Sequence, residues 1–83
     1  MQNLMRLPAV AAAVGVSPLT VKRNWKKGLF PKPVKIGVRA IAFPEHEVAA
    51  INAARIAGKS EDEIRALVAE LEMNRANTKA TAA

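Results

Sequence analysis

Four cations, Lys22, Arg23, Lys26 and Lys27, crowd the short segment between Pro18 and Gly28. If that segment is helical, Leu19, Lys22, Arg23 and Lys26 share one face at i, i+3, i+4 and i+7. Val21 and Trp25, one turn apart, then lie on the other. A cationic face opposite an apolar anchor suits a row of phosphates. Lysine ammonium groups neutralise phosphate without reading sequence, whereas the arginine fork can pair bidentately with a guanine edge. Arg23 is therefore the expected base reader, and Lys22, Lys26 and Lys27 the expected phosphate contacts. Ser17 and Thr20 place hydroxyls at the start of the same segment, where Thr20 can reach a phosphate or a base edge.

Other residue groupings point to weaker chemistry. His46 is the single histidine and stands between Glu45 and Glu47. Carboxylates at a helix start are favoured by its positive end, so this cluster reads as dipole complementarity rather than an acid–base or metal site. Gly58-Lys59-Ser60 resembles the end of a phosphate loop, but the preceding glycine is missing and a helix cap is the better reading. There is no cysteine, which removes thiolate chemistry and disulfides. No nucleophile–base pair or paired-carboxylate site is visible. The expectation is a protein that is not an enzyme and needs no cofactor or metal.

The elements that hold the cationic segment can be read from local signals. Pro8 suits the first turn of a helix running to Val14, with Val10 and Val14 on one face. Gly15 permits a sharp turn, and Ser17-Pro18 is an N-cap followed by a first helical proline. Gly28 ends that second helix. A small Ala11, a turn glycine and a branched apolar Val21 supply what a helix-turn-helix requires. Phe30-Pro31-Lys32-Pro33 cannot be helical. Val34–Ile36 and Ala40–Phe43 predict a two-stranded hairpin turning at Gly37-Val38-Arg39, with Lys35 and Arg39 flanking its tip. Pro44 opens a third helix, which Gly58 stops. Ser60 and Glu63 form a capping box for a fourth, whose apolar stripe is Ile64, Leu67, Val68 and Leu71. From about Asn74 the chain turns polar and alanine-rich. Trp25 shares a face with Val21, so a core role is expected in preference to stacking on a base.

Charge divides along the chain. Residues 1–43 hold eight basic residues and no acidic one, a net +8, whereas residues 44–83 hold five basic and seven acidic residues, a net −2. A basic half joined to a mildly acidic half suggests a polyanion-binding region on a scaffold. Arg6 followed by Leu7–Val16 superficially resembles a secretion signal, but the run is alanine-rich with Pro8 at its head and reads as a short helix of a cytoplasmic, nucleoid-associated protein. No stretch approaches the ~20 apolar residues of a membrane span. At 83 residues the core is thin, so self-association would help it.

Residues 6–51 resemble the AlpA family of prophage regulators, a branch of the MerR-like winged helix-turn-helix superfamily. The resemblance rests on Arg6-Leu7-Pro8, on Gly15 through Val21, and on Lys26 through Gly37 followed by Arg39-Ala40-Ile41. Its most distinctive part is the Gly-x-Phe-Pro-x-Pro-x-x-x-Gly string beginning at Gly28. The resemblance implies a regulator, or an excisionase that bends attachment-site DNA with an integrase as partner. It places Lys22 and Arg23 on the recognition helix and Lys35 and Arg39 beside the wing tip. Two departures stand out: Asn24 replaces a usual apolar residue and Phe43 a frequent tryptophan.

The expected fold is mainly α with a small β-hairpin: a winged helix-turn-helix over residues 1–57, then a C-terminal helical hairpin. The last helix occupies residues 58–74, and residues 75–83 form a disordered tail. The expected DNA-binding residues are Ser17, Leu19, Thr20, Lys22, Arg23, Lys26, Lys27, Lys35 and Arg39, with double-stranded DNA as partner. Ile64, Leu67, Val68 and Leu71 either cover the chain's own core or join copies into a homodimer or cooperative oligomer on DNA. The alternative function is a dimeric protein-interaction adaptor whose basic face meets an acidic partner.

Overall fold

Helix α1 (Leu7–Val14) begins after an extended Arg6, with proline in its first turn. It ends at Gly15, whose φ of 84° lies in the left-handed region. A Cβ there would meet nothing within 4 Å, so backbone conformation and not space requires glycine. The Gly15 and Val16 amides both donate to the Ala11 carbonyl, which closes the turn. Helix α2 (Pro18–Lys26) starts three residues later, capped by Ser17, whose Oγ accepts from the Thr20 amide at 3.2 Å. The computed structural model describes the backbone of residues 3–82 and the side chains of residues 3–75.

The sheet has one strand more than the hairpin read from the sequence. Strand β1 (Leu4–Met5) pairs antiparallel with β3 (Ile41–Pro44), Leu4 opposite Pro44 and Met5 opposite Phe43. Strand β2 (Val34–Lys35) pairs with the other edge of β3, Val34 opposite Ala42 and Lys35 opposite Ile41. The order is β1-β3-β2. Beyond the two paired rungs, the Ile36 amide donates to the Ala40 carbonyl at 3.0 Å and closes the hairpin loop.

Helix α3 (Glu45–Ile56) follows β3 directly, with Glu45 and Glu47 in its first turn. Helix α4 (Glu61–Ala82) opens on the capping box, in which the Ser60 amide donates to Glu63 Oε1 at 3.0 Å and the Glu63 amide to Ser60 Oγ at 3.2 Å. It does not stop near Asn74. Of the stretch 75–83 read as a tail, Arg75 lies within the helix and binds Glu47; the side chains after it, and all of Ala83, lie outside the described residues.

One core joins every layer. Val10 and Ala11 of α1, Val21 of α2, Leu29 and Phe30 of the following loop, Phe43 of β3, Val48 and Ile51 of α3, and Ile64 and Val68 of α4 pack together. Of the two readings of the C-terminal stripe, the structure takes the inward one. Ile64 is 3% exposed and Val68 5%, with Leu67 and Leu71 half-buried against the same cluster. Within the chain the surface of Ile64 and Val68 is already removed from water, which is the core-covering reading. The core also crosses the boundary placed between residues 57 and 58.

Candidate nucleic-acid interface

Two faces of α2 separate as the spacing predicts. Val21 is buried and Trp25 half-buried, its ring 5.7 Å from that of Phe43 and tilted by 48°. Phe43 in turn meets Phe30 edge-on at 5.6 Å. This aromatic run ties α2 to β3 and so to the hairpin, which fixes two separate basic groups on one rigid support. Leu19, Lys22, Arg23 and Lys26 are all exposed on the outer face, Leu19 by 57%. Among the described residues, Lys22, Arg23, Lys26, Lys27, Lys35 and Arg39 enter no ion pair and no side-chain hydrogen bond. Their charges are thus available to an outside anion.

Ser17 and Thr20 are brought together at the start of α2, with Oγ and Oγ1 3.0 Å apart. Whichever hydroxyl donates to the other, one hydroxyl proton remains free for an external acceptor. Lys27 closes α2, and its carbonyl accepts from Arg65 Nε at 3.1 Å. Helix α4 therefore braces the end of the cationic helix from behind while the Lys27 side chain stays exposed. It also braces the next loop: the Lys32 amide donates to Glu72 Oε2 at 3.0 Å, and the Lys32 carbonyl accepts from Arg75. At the hairpin, Lys35 and Arg39 are exposed on either side of Val38, which is 97% exposed.

Glu45, His46 and Glu47 do not converge. Glu45 and His46 face solvent, whereas Glu47 is buried and paired with Arg75. The dipole reading fits Glu45 but misses the role of Glu47. The signal was available: Glu47 stands four residues before Ile51 and seven before Ala54, on the face that α3 buries. Among the described residues no group of three or more His, Cys, Asp or Glu is gathered to hold a metal ion. Among the described residues, open grooves lie elsewhere. One of about 320 Å³ runs past Ala54, Lys59, Glu63 and Leu67, where Lys59 and Glu63 pair with each other at 3.8 Å. Another of about 220 Å³ lies against Met5, Val48 and Asn52, and Asn52 Nδ2 caps α1 by donating to the Ala13 carbonyl at 3.1 Å.

The sequence matches known proteins. Residues 3–55 match the model of the family described as "Prophage CP4-57 regulatory protein (AlpA)". Over 58 residues the chain is 36% identical to "Uncharacterized protein ORF88" of Enterobacteria phage P4, a stretch covering 70% of this chain and 66% of that protein. No solved structure matches the chain.

Proposed function

From the premise that this chain belongs to the AlpA family of prophage regulatory proteins, we propose that it is a non-enzymatic, sequence-specific binder of double-stranded DNA. In this reading α1 and α2 form a helix-turn-helix, α2 is the recognition helix, and the β2–β3 hairpin is the wing. The observation that carries the reading is the outer face of α2: Lys22, Arg23 and Lys26, exposed and unpaired among the described residues, opposite the anchored Val21 and Trp25. A helix so disposed presents charge to the major groove while its other side is held by the core.

The protein then acts in the cytoplasm, on the nucleoid, as a transcriptional regulator, as an excision factor working beside an integrase, or as both. One duplex-binding face serves all of these. Several copies side by side on DNA would use surfaces other than Ile64 and Val68, which are core. The adaptor reading is the weaker one, because the stripe it needs for docking is turned inward.

Fluorescence anisotropy on a labelled duplex at two salt concentrations tests the proposal. Neutralisation of a handful of phosphates predicts steep weakening as salt rises. Retention that ignores salt, or no retention at low salt, overturns it.

A further inference from the structure

Exposed apolar residues occur singly on most protein surfaces and need no explanation by themselves. Val38 differs in where it stands. At 97% exposure it is the most exposed of the large hydrophobics among the described residues. It occupies a hairpin loop closed by the Ile36–Ala40 hydrogen bond, at a position where turns favour small or polar residues. Ile36, two residues earlier, is also exposed. The loop reads Lys35-Ile36-Gly37-Val38-Arg39, an apolar tip with one cation on each side. Neither cation is paired among the described residues, and no acidic residue occurs anywhere before Pro44.

A tip of this composition fits a partner that offers apolar surface between two rows of negative charge. The minor groove of a duplex has that form: sugar walls and base edges lie between two phosphate backbones. The hairpin is already joined to the cationic helix through Phe43 and Trp25, so a duplex held by α2 has the tip within the same rigid body.

We propose that Val38 is an apolar wedge that enters the minor groove of the bound duplex and opens a base step, with Lys35 and Arg39 held by the phosphates on either side. The inference rests on the duplex-binding reading given above and adds a physical action to it. A wedge of this kind kinks DNA. It favours sites with a flexible pyrimidine–purine step under the wing, because those steps unstack most easily. Specificity then arises at a position where no hydrogen bond reads a base.

The experiment uses the full chain and a short mixed-sequence duplex carrying a donor and an acceptor dye at its two ends. Energy transfer reports the bend and anisotropy the affinity, with wild type, Val38→Ser and Arg39→Gln compared. Val38 makes no core contact, so Val38→Ser is expected to melt at the wild-type temperature. It should straighten the bound duplex and weaken binding by roughly 3- to 10-fold through lost apolar burial, with the salt slope unchanged. Arg39→Gln should instead lower that slope by about 1. Wild type that binds without bending, or Val38→Ser that bends like wild type, overturns the wedge and leaves duplex binding standing. Failure of wild type to retain duplex overturns both. Val38-dependent binding to anionic lipid vesicles without duplex bending would assign the tip to a membrane surface and also overturn the wedge.

Discussion

The Glu47 carboxylate, 1% exposed, is held bidentately by Arg75, with Nε 2.9 Å from Oε2 and Nη2 2.6 Å from Oε1. The two residues are 28 apart in sequence, on α3 and α4. The same guanidinium donates to the Lys32 carbonyl. A single side chain therefore fastens the last helix both to α3 and to the loop that follows the cationic helix. The hydrogen bonds that Arg75 donates to Glu47 hold the Arg75 pKa above its ordinary value, outweighing the burial that opposes it.

Removing one partner of this pair strands the other. Arg75→Ala leaves a buried carboxylate uncompensated and should cost roughly 2–4 kcal/mol, measured by urea unfolding. Replacing both Glu47 and Arg75 by methionine should recover most of that loss, because the penalty comes from the lone charge and not from absence of the pair. Additive losses in the double variant would contradict this coupling.

Ile64 should behave as a core residue. Ile64→Ala is expected to destabilise by about 2–4 kcal/mol through lost burial and the cavity left behind. The effect should be the same at every protein concentration. A loss that fades as the protein is concentrated would show the side chain in an interface between copies.

Acid should loosen the start of α4. The Ser60 amide first, then its hydroxyl, then the Lys59 charge hold the Glu63 carboxyl below its ordinary value of 4.5. Lowering in the folded state means the contribution is present above pH 4.5 and fades as pH falls through that value and past the lowered one. Glu63 is exposed, so the effect is small. Melting curves from neutral to acid pH should show a shallower decline for Glu63→Gln than for wild type; parallel curves would contradict the assignment.

The two neighbouring cations of α2 should fail in different ways. Lys22→Ala should weaken all duplexes alike and reduce the salt slope by about 1. Arg23→Ala should relax preference at one base pair, at a cost of about 1–3 kcal/mol on the preferred site. Competition binding across a randomised duplex pool separates these outcomes; identical profiles for both variants would remove the division of roles.

Signals within a few residues were the ones legible in the sequence. Ser17 before Pro18, Gly15 and Gly28 after helical runs, and the Ser60–Glu63 box each act locally, and each stands where local chemistry places it. The cationic and apolar faces of α2 follow from helical periodicity alone. Strand β1 was illegible because two residues carry no periodicity: Leu4 and Met5 are a strand only by pairing with Pro44 and Phe43. The stripe from Ile64 to Leu71 announced an apolar face but not what it would face, which tertiary packing decides. Helix α4 outran its expected end for the same reason, since Arg75 finds its partner on another helix.

In the proposed reading the outer face of α2 and the hairpin tip lie against duplex DNA, and amide chemical shifts recorded as duplex is added report that contact residue by residue. Shifts are expected to concentrate at residues 17–27 and 35–39, while residues 61–71 of α4, braced behind α2, stay largely unmoved. Shifts centred on α4, with residues 19–26 unchanged, would contradict that reading.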